Sequence, residues 1–317
     1  MCPFCFYFCM QIMLKTDMEN KKSLVGAWVE AARPRTLPAS VSPVLLGCAL
    51  AYYDGVFDVV PAVLCLLVAL FAQIASNFAN DYFDFKKGAD REDRLGPERA
   101  VAEGWITPKA MLTGTFVTLG LACAAGLLLV CFADWRLIGV GIAIAICVLA
   151  YSAGPFPLAY NGLGDVCVLL FYGVIPVCFT YYIQTLNFSL LSFLLSVALG
   201  LLSVNILIVN NYRDYEQDKA VRKRTTIVLF GRRAGRVFYV LNECMAFLLV
   251  LPLILDAPWW ILFLFGILFA LCFYTTRELF TLEGRALNRT LGHTARNVFL
   301  FASVLSLLFL YIGGVSN

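Results

Sequence analysis

The sequence predicts an all-α membrane protein of nine transmembrane helices. Three observations carry that prediction. The chain is 61% hydrophobic and only 14% charged, whereas about a quarter of an ordinary soluble domain is charged. Its mean hydropathy of +0.81 is more than a soluble core of 317 residues could hide, so lipid must solvate the excess apolar surface. The apolar residues fall into runs near the roughly 20 residues that cross a bilayer, and Lys and Arg lie almost wholly on one side of those runs.

In chain order the expected spans are 37–53, 59–80, 109–132, 137–152, 165–183, 189–211, 236–255, 258–276 and 296–315. A tight turn from Asp54 to Asp58 joins the first two. The fourth ends at the breaker run Gly154-Pro155-Phe156-Pro157. Gln184 to Phe188 and Asp256 to Pro258 make two further tight connections. With nine spans, the N-terminus shares a side with the loops after spans 2, 4, 6 and 8. That side carries every Lys and Arg except Arg136, and the bias assigns it to the cytoplasm. The expected location is therefore the cytoplasmic (inner) membrane, with the N-terminus and the charged loops inside.

The chain divides into a tail, 1–24, and a transmembrane domain, 25–317. The start lacks the basic region and cleavage site of a secretory signal. Cys2, Cys5 and Cys9 have no second ligand pair for zinc, and the only His is His293. Most other Cys stand alone in apolar runs, where they act as small hydrophobes.

Two acidic clusters carry the chemistry. The first is Asn77-Phe-Ala-Asn80-Asp81-Tyr-Phe-Asp84, followed by Lys86, Lys87 and Arg99. The second is Asn210-Asn211-Tyr-Arg213-Asp214-Tyr215-Glu-Gln-Asp218-Lys219, followed by Lys223 and Arg224. Spacings of three and four put Asn77 with Asp81, Asn80 with Asp84, and Asp214 with Asp218 on shared helix faces. Both clusters end an apolar span on the same side, a suggestive internal repeat offset by four helices. Mg²⁺ takes oxygen ligands, usually one or two carboxylates with phosphate oxygens and water. Four acids in one cavity repel until a divalent cation enters, and flanking Arg and Lys suit phosphate. The pattern fits a site for Mg²⁺ and a diphosphate.

Asn80-Asp81-Tyr-Phe-Asp84 and Asp214-Tyr-Glu-Gln-Asp218 resemble the two motifs of the UbiA superfamily of membrane aromatic prenyltransferases. Tyr215-Glu-Gln-Asp-Lys219 resembles its Tyr-x-x-x-Lys element. One position departs: where the family's first motif has a third acid, this chain has Gly88, and the next acid is Asp90. The stretches 32–40, 80–90, 151–155 and 210–214 are similar to the branch that prenylates 1,4-dihydroxy-2-naphthoate in menaquinone synthesis. The resemblance implies a nine-helix bundle with a central cavity open to the cytoplasm and to lipid. It implies Mg²⁺ held by Asn77, Asn80, Asp81, Asp84, Asn211, Asp214 and Asp218, with the four Asp residues catalytic. Arg33, Lys87, Arg99, Tyr151, Arg213, Lys219, Lys223 and Arg224 would bind the substrates, a polyprenyl diphosphate and an aromatic acceptor. Tyr82, Tyr151 and Tyr160 are candidates for stabilising an allylic cation. For the naphthoate, prenyl transfer releases carbon dioxide and diphosphate and gives demethylmenaquinol.

Membrane lipid is the remaining partner; no nucleic acid or obligate protein partner is expected. Two alternatives stay open: a 4-hydroxybenzoate or other aromatic polyprenyltransferase, and a secondary transporter. Against the transporter, the acids gather at a water interface and not at the bilayer midplane.

Overall fold

The computed structural model describes residues 22–88 and 94–316. The tail cysteines and Asp90 lie outside the described residues. The fold is helical: α1 is Leu24–Ala32, α2 Leu37–Tyr53, α3 Val59–Lys86, α4 Pro108–Leu129 and α5 Leu137–Ala150. Next come α6, Gly164–Leu169, a π turn, Leu170–Val174, and α7, Ile175–Thr185. The rest are α8 Leu190–Arg213, α9 Tyr215–Ala220, α10 Thr226–Leu255, α11 Trp259–Thr281 and α12 Leu287–Ser316.

Among the described residues, eight helical stretches are long and apolar enough to cross a membrane. The run expected at 137–152 forms α5, whose 14 residues fall short of the roughly 20 a crossing needs. Several helices also overrun their apolar segments. α3 continues six residues past the expected end to Lys86, α10 begins at Thr226, and α12 begins at Leu287. A helix satisfies its own backbone, so it can carry polar side chains past the apolar zone into the water line. α10 is broken at Gly231, whose φ of 86° is a left-handed conformation that glycine adopts freely.

The helix starts follow capping rules. Asp58, Thr107, Ser189 and Thr225 each accept a backbone N–H of the helix they precede, and Pro108 stands at the first position of α4. The π turn precedes Pro176, which has no N–H to offer the preceding turn.

The main core joins α2, α8, α10, α11 and α12 through Leu46, Leu50, Leu199, Val250, Phe265, Phe301 and Leu305. Lipid tails are as apolar as leucine, so these helices associate through close packing and small residues. The tightest approach is between the π turn and α8. A Cβ on Gly173 would lie 2.5 Å from both the Gly200 Cα and the Ser196 carbonyl oxygen. That crossing fixes how α8 delivers its charged end.

Gly173→Val should therefore lower the unfolding midpoint in detergent, by an overpacking cost of about 1–3 kcal/mol. Gly120→Ala, where an added Cβ meets nothing within 4 Å, should leave the midpoint unchanged or raised.

Candidate active site

The ends of α3 and α8 meet at one end of the bundle, over a cavity of about 1040 Å³. Asn77, Asn80 and Asp84 from α3 line it, together with Asn210 and Asn211 from α8 and Lys223 from the loop before α10. Its deeper walls are apolar and include Leu119, Ala122 and Leu127 of α4 and Ile142 and Ile146 of α5. The cavity is thus charged at one end and greasy at the other.

A chain of contacts joins the two acidic clusters. Lys223 Nζ pairs with Asp218 Oδ1 at 3.3 Å. The same ammonium lies 5.4 Å from the centre of the Tyr160 ring, and the Tyr160 hydroxyl donates to Asp84 Oδ1 at 2.9 Å. Lys87 stands over the same ring at 4.2 Å and donates to the Ser152 carbonyl at 2.5 Å. Arg99 Nη2 reaches Asp84 Oδ2 at 3.4 Å. Tyr160 is delivered by the breaker loop after α5. The Arg224 N–H donates to the Tyr160 carbonyl at 2.9 Å, which fastens that loop to the one carrying Lys223.

The electrostatics follow from this crowding. Burial pushes the Asp218 carboxyl up to about 6; Lys223 opposes the rise, while Asp214 and Asp84 add to it. Burial alone would pull the Lys223 ammonium down, but Asp218, Asp84 and Asp214 outweigh it and hold it above the ordinary lysine range. Burial also lowers Lys87, against the pull of Asp84.

The remaining residues of the two motifs have other partners. Asp81 is buried outside the cavity lining, and its two oxygens accept the N–H groups of Ala100 and Val101 at 3.1 and 3.2 Å. It holds the loop after α3 in place. Asn77 donates to the Ala32 carbonyl at 2.9 Å and accepts from Gln73 at 3.2 Å, which ties α3 to the end of α1. The Asn80 amide oxygen accepts the Ser152 hydroxyl.

The second cluster does not lie on one helix. α8 stops at Arg213, Asp214 occupies the break, and α9 carries Asp218. The Asp218 N–H still donates to the Asp214 carbonyl at 2.8 Å, which preserves one turn of spacing. Arg213, 1% exposed, is engaged on every nitrogen: Nε and Nη2 grip Asp214 at 2.7 and 2.6 Å, Nη2 also reaches Asn210, and Nη1 donates to Asn288 at 2.6 Å. Asn288 in turn donates to the Leu95 carbonyl at 2.9 Å.

Of the other expected substrate contacts, Arg33, Arg99 and Tyr151 line the cavity. Lys219 is exposed and stands 5.9 Å from the Tyr215 ring, and Arg224 is exposed. Tyr82 packs against Phe83 in a small cluster on the α1 side.

Three groups escaped the sequence reading. Ser152 lies in the 151–155 stretch, of which only Tyr151 was expected to bind substrate, and Asn288 sits in a segment without a motif. Gln73 and Tyr172, which hydrogen-bond each other on the cavity wall, are visible in principle as polar groups inside apolar spans.

The residues suit a divalent cation, although no three His, Cys, Asp or Glu side chains converge among the described residues. Asp218 Oδ2 is buried without a hydrogen-bond partner. With Asp84 and the amides of Asn80 and Asn211, it gives the one or two carboxylates that Mg²⁺ takes when phosphate and water complete its shell.

The chain matches the profile of the UbiA prenyltransferase family over residues 40–303. It belongs to that family. A 1,4-dihydroxy-2-naphthoate octaprenyltransferase of Haemophilus influenzae is 37% identical over 235 residues, covering 72% of this chain and 76% of that protein. The enzyme of the same name from Escherichia coli is 37% identical over 229 residues, covering 70% and 74%. The fold is that of a UbiA homologue from Archaeoglobus fulgidus solved with DMAPP and Mg²⁺. The TM-score is 0.60 at 18% identity, over 89% of this chain and 97% of that one. This UbiA family member is accordingly a multi-pass membrane protein.

Arg213→Met should cost about 3–5 kcal/mol, because it strands the buried Asp214 charge and unties α8 from Asn288. The readout is the unfolding midpoint in detergent without substrate. A midpoint equal to wild type would show that Arg213 has no structural load.

Proposed function

We propose that the protein transfers a polyprenyl group from its diphosphate to 1,4-dihydroxy-2-naphthoate, releasing diphosphate and carbon dioxide and giving demethylmenaquinol. The observation that carries this reading is the contact chain Asp218–Lys223–Tyr160–Asp84 across the mouth of a cavity with an apolar interior. The names of the similar Haemophilus influenzae and Escherichia coli enzymes support the choice of acceptor. The solved relative, bound to a prenyl diphosphate and Mg²⁺, supports the choice of donor and metal.

The diphosphate sits at the charged end. Lys223, Lys87 and Arg99 offer it positive charge, and the prenyl tail lies along α4 and α5 and leaves between them into lipid. Asp84 and Asp218, with Asn80 and Asn211, would hold Mg²⁺. When bound, Mg²⁺ supplies charge neutralisation for the departing diphosphate. Asp81, Asn77, Arg213 and Asp214 position these groups, and Lys219 and Arg224 add to the positive field around the mouth.

The allylic C–O bond breaks and its electron pair leaves with the diphosphate. The ring carbon that bears the carboxylate bonds to the prenyl carbon. The C–carboxylate bond then breaks, its electron pair restores the aromatic ring, and carbon dioxide departs. No ring proton has to be removed. Arg33 holds the acceptor carboxylate before the reaction, and Gln73 and Tyr172 meet its hydroxyl groups. The apolar walls keep water from the allylic cation, and the Tyr160 and Tyr151 rings face the developing charge.

Membranes containing the wild-type chain should convert polyprenyl diphosphate and the naphthoate to a prenylated, decarboxylated product, detected by mass. 4-Hydroxybenzoate should neither react nor compete. Asp84→Ala and Asp218→Ala should each lose about 10²-fold or more in kcat, and EDTA should abolish turnover until Mg²⁺ is restored. Lys223→Ala should raise the KM for the donor. A correctly inserted Asp84→Ala variant with normal turnover would overturn the reading.

A further inference from the structure

A second basic site lies on the outer side of α8, away from the central cavity. Arg232 and Arg236 are one turn apart on α10, just beyond the break at Gly231. Both guanidinium groups stand against the Tyr212 ring, 5.6 and 5.4 Å from its centre. Arg232 also faces Tyr215 at 5.0 Å, and Arg236 faces Phe280 at 5.1 Å. With Glu283, Gly284 and Leu287 they line a pocket of about 220 Å³.

The charges in this pocket are not balanced. The Nε of each arginine is buried without a hydrogen-bond partner, and Arg236 Nη2 has only the Phe280 carbonyl, at 3.3 Å. Among the described residues neither arginine forms an ion pair, and Glu283 stands exposed at the rim, paired with neither. Aromatic faces offset part of a cation's desolvation, but two like charges sharing one ring still repel. The forked donors of a guanidinium match the oxygens of a phosphate. The surroundings say where that phosphate comes from. Phe230, Val237, Leu241 and Phe280, next to the pocket, are 65%, 55%, 51% and 47% exposed. In a membrane-spanning chain such a surface touches acyl chains.

We propose that this pocket binds a phosphate group, carried by an anionic phospholipid of the surrounding bilayer. The headgroup phosphate lies between Arg232 and Arg236, and the acyl chains run down Val237 and Leu241.

The test uses the full chain, delipidated in neutral detergent. Phosphatidylglycerol, phosphatidylcholine and inorganic phosphate are titrated in separate arms, and bound mass and melting midpoint are read. Phosphatidylglycerol should bind as a discrete adduct and raise the midpoint more than either alternative. Arg232→Gln with Arg236→Gln should weaken that binding roughly tenfold or more. Arg233→Gln, which removes an exposed neighbouring charge, should leave it unchanged. Equal weakening by Arg233→Gln, or full binding by the double variant, would overturn the site. A midpoint raised as much by inorganic phosphate would assign the pocket to a soluble anion and overturn the lipid assignment. Should the double variant fail to fold, Arg236→Lys keeps the charge and loses the fork. It should bind more weakly, and undiminished binding by a folded Arg236→Lys protein would refute the proposal.

Discussion

The charged end of this bundle depends on neutralising carboxylates that water scarcely reaches. Asp84, Asp214 and Asp218 crowd a poorly solvated mouth, where a buried carboxylate is costly without a cation beside it. Arg99, Arg213 and Lys223 fill that role, and each comes from a different part of the chain. Arg213 draws α12 toward α8 through Asn288. Lys223 draws the loop before α10 toward the loop after α5. The electrostatic requirement therefore also decides which segments touch, while the rest of the bundle relies on close approaches such as Gly173 against Gly200.

The same requirement divides the motif residues into two roles. Some face the cavity: Asn80, Asp84, Asn211 and Lys223. Others hold the scaffold behind it: Asp81 fixes a loop through two backbone N–H groups, and Arg213 pins Asp214. A polar group in the second role is as exacting as one in the first, because it is buried and its partners have no substitute. In the proposed reaction the two roles meet at Tyr160, which touches Asp84 through its hydroxyl and lies under both Lys87 and Lys223.

Much of the fold was legible in the sequence, because apolar run length answers directly to the thickness of the bilayer. α5 was the exception: its run was apolar enough, but its helix is only 14 residues long. Helix ends were less legible, since helices pass the water line without a change in backbone energetics, as α3 does to Lys86 and α12 does from Leu287. In the candidate site, spacing identified the α3 pairs as helical neighbours, but it put Asp214 and Asp218 on one helix that in fact breaks at Asp214, and it could not say which face turns inward. Asn80 and Asp84 line the cavity, whereas Asp81, one residue away, turns to the loop. The break at Asp214 also left no sequence signal, because Arg213 and Tyr215 are ordinary helix residues on either side of it.

The short α5 has a consequence for how this architecture can diversify. Of its 14 residues only Leu137 is buried, yet Ile138, Ile142 and Ile146 line the cavity. The wall that shapes the apolar end is thus nearly uncoupled from the core that keeps the bundle folded. Exchanges of side-chain volume there would reshape the hollow at little cost in stability, whereas the same exchanges on α8 would strike the packed interior. Evolution could refit such a chamber to longer or shorter hydrocarbon cargo without renegotiating the scaffold.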